Sequence, residues 1–171
     1  MSRVVLIRYG AMGEVARFVN QAGSPAGTVA VVRSPRGEEL GTIIGPAKAD
    51  DAADEADDAA DENGPAVLRV ATSDDHEAAR RSRHASEAEF VPWQERIREW
   101  NVDLELIDLE RTFDGKLILY VLNDRGPEAT RLALKAAAAG FGVIEVQPVG
   151  PEGLIAATGG GGCGSCANHK R

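Results

Sequence analysis

Two cysteines, Cys163 and Cys166, stand three apart near the end of the chain, and His169 follows three residues later. A C-x-x-C spacing brings two sulfurs within reach of one metal ion, and the histidine offers a third ligand. The four glycines ahead of them, Gly159 to Gly162, let the backbone wrap closely and aim N–H groups at sulfur. Three chemistries fit: a metal centre, a thiol redox pair, or a tail whose cysteines are relics. The redox reading is the weakest, because a thioredoxin-type motif opens a helix after a strand and this one sits in a glycine-rich end. As a metal site the set is short: a closed structural zinc site takes four ligands, so zinc here would be shared with a second chain. Cys163, Cys166 and His169 are therefore the candidate metal ligands. No catalytic residues are assigned, and no Walker loop, HExxH or GxSxG motif occurs. His76 and His84 fall on a polar helical stretch and read as solvated. Asp108 and Glu110 read as the solvated face of a strand, and Asp114 as a turn residue.

The elements that would position this tail are legible upstream. Residues 102–122 hold two apolar runs around Asp114-Gly115, a strong hairpin signal of the type I′ kind. In the first run Val102, Leu104 and Leu106 share one face, while Ile107 and Leu109 share the other. A β-bulge near Leu106 reconciles them. The second run, residues 117–122, is apolar throughout, as in a strand covered on both faces. Thr72 with Asp75 predicts a capping box. Phe90, Trp93, Ile97 and Trp100 follow at helical spacing as a buried stripe, which Pro92 kinks or splits. Asn101 is placed to cap that helix in the left-handed region. Gly126-Pro127-Glu128 opens a second helix that Gly140 ends, and residues 143–149 form a last strand.

Before residue 47, short β segments punctuated by Gly and Pro predict a small, curled antiparallel or barrel-like subdomain. The fold class is therefore α+β. An antiparallel β subdomain (1–46) is followed by an acidic low-complexity linker (47–65), a ferredoxin-like β-α-β-β-α-β part with both helices on one face of an antiparallel sheet (66–150), and a glycine-rich tail (151–171). Residues 49–62 are a tandem ADDAADE repeat with eight acids and no base, and read as a solvated, mostly disordered insertion, ahead of an acidic arm that mimics nucleic acid or docks on a basic partner. The chain has 171 residues and a net charge of −8; without those eight acids, 27 − 8 leaves 19 acids against 19 bases, so the rest is neutral. No apolar run approaches the roughly 20 residues that span a bilayer, and the start of the chain reads as a strand and not a signal peptide. These features point to the cytoplasm and away from membranes.

The stretch ATSDD, the helix after it and VDLELIDLERTFDGKLILYVL resemble the polymerase-suppressor C-terminal domain family (PSP-one), which includes the RicT-like bacterial proteins. SPRGEELGTIIG resembles that family's arginine-glycine and glutamate-leucine-glycine strand pair, and IEVQPVG with GGGGCGSC resembles its last strand and tail. The resemblance implies a non-enzymatic regulatory protein in a complex that tunes RNA processing, with other proteins, including an endoribonuclease, as partners. It also implies tail cysteines that ligate an iron–sulfur cluster. Cys163 matches the first family cysteine; the adjacent pair further on is reduced to Cys166 followed by Ala167. One chain cannot supply the four thiolates of an ordinary cluster, so iron–sulfur or zinc would be completed by a second chain or a partner. Where the family carries bases, this chain has Gly126, Thr130, Val143 and Gln147. An RNA-binding module using the ferredoxin-like sheet is the alternative, against which stand the missing basic stripe and aromatic pair.

Overall fold

A computed structural model describes residues 3–47, 64–122, 126–151 and 153–155. The acidic repeat and Cys163, Cys166 and His169 lie outside the described residues.

The first four strands are β1 (Arg3–Tyr9), β2 (Glu14–Asn20), β3 (Val29–Ser34) and β4 (Gly37–Pro46). With β5 (Ala66–Val70) they close into a barrel of order β1-β2-β5-β3-β4, since β4 also pairs with β1. The barrel fills itself. Val5, Ile7, Phe18, Val32 and Ile43 form its core, and Tyr9 meets Phe18 edge to face at 5.5 Å. Gly41 is required inside it, because a Cβ there would lie 2.5 Å from Ile7 Cγ2. On β2 the inward residues are Ala16, Phe18 and Asn20, and Val15 faces solvent.

The remaining elements are α1 (Ser73–Glu99), β6 (Glu105–Arg111), β7 (Leu117–Leu122), α2 (Pro127–Ala138), β8 (Ile144–Gly150) and β9 (Gly153–Leu154). Their order from β5 onward is the predicted β-α-β-β-α-β. The strand that opens the series pairs elsewhere, however: β5 lies antiparallel to β3 and touches β2 through Val19 and Ala66. The second sheet is thus β6-β7-β8-β9, and it is mixed, with β7 and β8 parallel across the α2 crossover. A strand of five residues takes whichever edge is open, and pattern alone does not name its partner.

α1 starts at the predicted capping box. Thr72 accepts from Asp75 N, and the Asp75 carboxylate accepts from Thr72 N at 2.8 Å. Arg69 of β5 also binds that carboxylate, fixing the helix start to the barrel. Pro92 is accommodated inside one continuous helix. Trp93 and Ile97 are buried on the sheet, with Phe90 and Trp100 packed beside them. Asn101 follows the helix at φ 50°, as anticipated. The bulge falls at Ile107, between Leu106 and Asp108. β7 is covered on both faces: Leu117, Leu119 and Val121 join the helix-side core, and Ile118 and Tyr120 are fully buried opposite.

The turn at Asp114-Gly115 is not type I′. Gly115 has φ 86°, whereas Asp114 is not in the positive-φ region. Gly115 N donates to Thr112 O, and Thr112 N donates to Lys116 O. This is the three-residue loop in which a type I turn is followed by a left-handed glycine bulge. A tertiary contact favours that form: Phe113 N donates to Glu38 O of β4 at 2.6 Å.

Candidate functional site

Two of the stretches singled out in the sequence, SPRGEEL and LERTFDG, are folded against each other. SPRGEEL supplies the β3–β4 turn, and LERTFDG supplies the end of β6 and its loop. Gly37 has φ 141°, and a Cβ there would lie 2.5 Å from Asp114 Oδ1, so the two turns are in direct contact.

Arg36 sits at the centre, 4% exposed. Its Nη1 lies 3.0 Å from Glu14 Oε1 of β2 and 2.7 Å from Glu110 Oε1 of β6. Nη2 pairs with Glu39 Oε2 at 2.5 Å, and Nε donates to Glu39 Oε1 at 3.2 Å. Nη1 also donates to the Tyr120 hydroxyl, which in turn donates to Glu110. The guanidinium carbon stands 5.2 Å from the centre of the Tyr9 ring. Its local geometry is set by Ser34, whose Oγ accepts from Arg36 N and donates to Glu39. Gly10 leaves room for the guanidinium alongside, since a Cβ there would come within 2.2 Å of Arg36 Nη2. Ala11 N completes the set by donating to Glu110 Oε2 at 2.9 Å. Arg36 thus holds β2 and β4 of the barrel to β6 and β7 of the second sheet.

The electrostatics follow from burial. Desolvation works against the charge of Arg36, but hydrogen bonding and attraction from Glu39, then Glu110, more than offset it, and the pKa rises. Burial raises the Glu39 carboxyl, against the hydrogen bonds from Arg36 and Ser34. Burial, then the charges of Glu14 and Glu110 respectively, push the hydroxyls of Tyr9 and Tyr120 up, so both stay protonated donors at neutral pH. The Glu39 and Glu110 oxygens are all engaged, so the cluster's chemistry is cohesion between two modules.

Sequence reasoning placed Glu110 on a solvated strand face. The structure corrects this: Arg36 of the β3–β4 turn reaches across and pairs with Glu110 at 2.7 Å. Asp108 likewise binds Arg83 of α1 at 2.9 Å. Arg36, Glu14 and Tyr120 were not anticipated; the arginine-glycine of SPRGEEL was the one available hint. His76 and His84 are on α1 as read, His84 exposed. Among the described residues no group of three or more His, Cys, Asp or Glu is placed to hold a metal ion, and no helix is long and apolar enough to cross a membrane.

Fold and junction define a two-module α+β protein in which a closed five-stranded barrel is clamped to a helix-backed mixed sheet. Residues 65–125 match the PSP1 C-terminal conserved region, so the chain carries that region, from β5 through β7. The match upholds the resemblance read in ATSDD and the hairpin, and it includes Glu110 and Tyr120 while Arg36 lies ahead of it. No curated protein and no solved structure matches the chain.

Proposed function

We propose that this protein is a non-enzymatic, RicT-like adaptor of a regulatory complex that tunes RNA processing. The observation that carries the reading is the PSP1 C-terminal conserved region over residues 65–125. Its hairpin is bound into the Arg36 junction by the Arg36–Glu110 ion pair at 2.7 Å, so the hairpin and the barrel form one unit. Such a unit suits a component that presents fixed surfaces to other proteins, an endoribonuclease among them.

The tail adds the second part of the reading. With two cysteines in the chain, Cys163 and Cys166, and His169 beside them, one chain supplies at most three ligands there. That set does not complete a four-thiolate cluster or a closed zinc site. An iron–sulfur or zinc centre is accordingly completed by a second chain or a partner, and metal content and association rise together.

The test is metal per chain alongside mass by light scattering, for parent and Cys163→Ser purified without oxygen. The reading predicts that the substitution lowers both and leaves tryptophan fluorescence of the folded core unchanged. Full metal occupancy in a strict monomer contradicts it, as does metal-free protein that still associates.

A further inference from the structure

Between the β1–β2 turn, α1 and the end of β6 lies a cleft of about 420 Å³, the size of ordinary ligand sites. α1 turns Ala79, Ser82, Arg83 and Ser86 toward it, a row at helical spacing whose small members leave room. Leu40 and Phe113 form apolar walls opposite. Ser86 is 1% exposed, and its Oγ has no hydrogen-bond partner among the described atoms. Ser82 differs, since its hydroxyl donates to Arg111 O. A buried hydroxyl without a partner is a cost to the fold, which a ligand would relieve.

The charge around the cleft selects the ligand. Glu14, Glu39 and Glu110 share the single Arg36. Asp108 and Glu87 share Arg83, and Glu89 holds Arg111. Acids outnumber bases in this surround, so an anion is disfavoured and a cation is attracted. The lack of a metal-ligating group among the described residues points to an organic cation. The apolar walls match an aliphatic stem, as on lysine, arginine or a polyamine.

We propose that this cleft binds a primary ammonium or guanidinium group on an alkyl stem. The head donates to Ser86 Oγ in a cleft that Glu39, Asp108 and Glu110 also line, and the methylenes lie against Leu40, Ala79 and Phe113. The adaptor reading bears only on the source of the cation, a basic side chain of a partner protein or a free polyamine; the cleft itself stands without it.

Calorimetric titration of the full chain tests this with three probes: acetyl-Gly-Lys-Gly-amide, the same peptide with norleucine, and spermidine. The lysine peptide or spermidine binds and the norleucine peptide does not, with affinity falling as salt rises. Binding of the peptide alone marks a protein source, and binding of spermidine alone marks a free amine. Ser86→Ala keeps or raises the thermal midpoint while weakening the cation by about tenfold, the loss of one hydrogen bond to a charged group. Ala79→Leu, a helix-compatible change, fills the stem's space and removes binding. Equal binding of the norleucine peptide, no binding of either cation, or parent-like affinity in both variants overturns the proposal. None of these results depends on a partner complex, so failure here is distinct from failure of the adaptor reading.

Discussion

Arg36→Met isolates the junction, because methionine keeps much of the aliphatic bulk and removes the charge. Removing one partner of a buried ion pair costs roughly 3–5 kcal/mol, chiefly by leaving an unpaired charge. Three carboxylates lose their partner here, but they do not count equally. Glu39 has a side chain only 9% exposed and carries nearly the full effect. Glu14 and Glu110, at 20% and 19%, lie nearer water and add less. The expected loss is therefore about 3–5 kcal/mol and not a multiple of it. At roughly 2–4 °C per kcal/mol for a chain of this size, the thermal midpoint falls by about 6–20 °C. Urea unfolding followed by two probes reads the coupling. Trp93 and Trp100, the two tryptophans, report the helix-backed sheet, while far-UV circular dichroism reports both modules. In the parent the curves coincide; in Arg36→Met the barrel separates from the sheet. Acidification partly rescues the variant, because protonating the stranded carboxylates removes the buried charge. Coincident curves within about 1 kcal/mol of the parent, the scale of an exposed pair, would refute the clamp.

Other outcomes follow from single sites. Gly41→Ala pushes a Cβ to 2.5 Å from Ile7 Cγ2 and lowers stability by about 1–3 kcal/mol, read by urea titration. Gly115→Val forces a β-branched residue to φ 86°, costing about 1–3 kcal/mol by the same assay; open space around that Cβ confines the effect to the backbone. Thr72→Ala removes the α1 cap and costs about 1 kcal/mol, seen as a lower thermal midpoint. Because burial raises the folded Glu39 carboxyl above its unfolded value, its contribution is fully present below the ordinary carboxylate range and is lost as pH rises through the folded pKa. Stability of Glu39→Gln relative to parent should thus climb with pH over that window, and a flat difference would contradict the assignment.

The parts of this fold that were legible in the sequence are those set by neighbours along the chain. Thr72 and Asp75 cap one helix, Asn101 ends it, and the phase slip at Leu106 becomes a bulge at Ile107, each within a few residues of its own signal. The uniform apolar run of β7 correctly marked a strand with two covered faces. What was not legible depends on distant partners. β5 joins the barrel because β3 offers it an edge, and the hairpin adopts its bulged loop with Phe113 N bound to Glu38 O. The role of Arg36 carried no local signal, because three of its partners, Glu14, Glu110 and Tyr120, are far away in sequence. For the tail, Cys163, Cys166 and His169 lie outside the described residues, and their spacing carries that part of the reading.

The adaptor reading is tested most directly by affinity purification of the tagged full chain from its native host without oxygen, divided into samples with and without ribonuclease treatment. Quantitative mass spectrometry then gives partner per chain, and the same cells lacking the protein give the ratio of unprocessed to processed transcripts. The account predicts an endoribonuclease-containing assembly at fixed stoichiometry that survives ribonuclease, and transcripts that accumulate unprocessed when the chain is absent. A chain recovered alone, or associated material that disappears with the RNA, contradicts it.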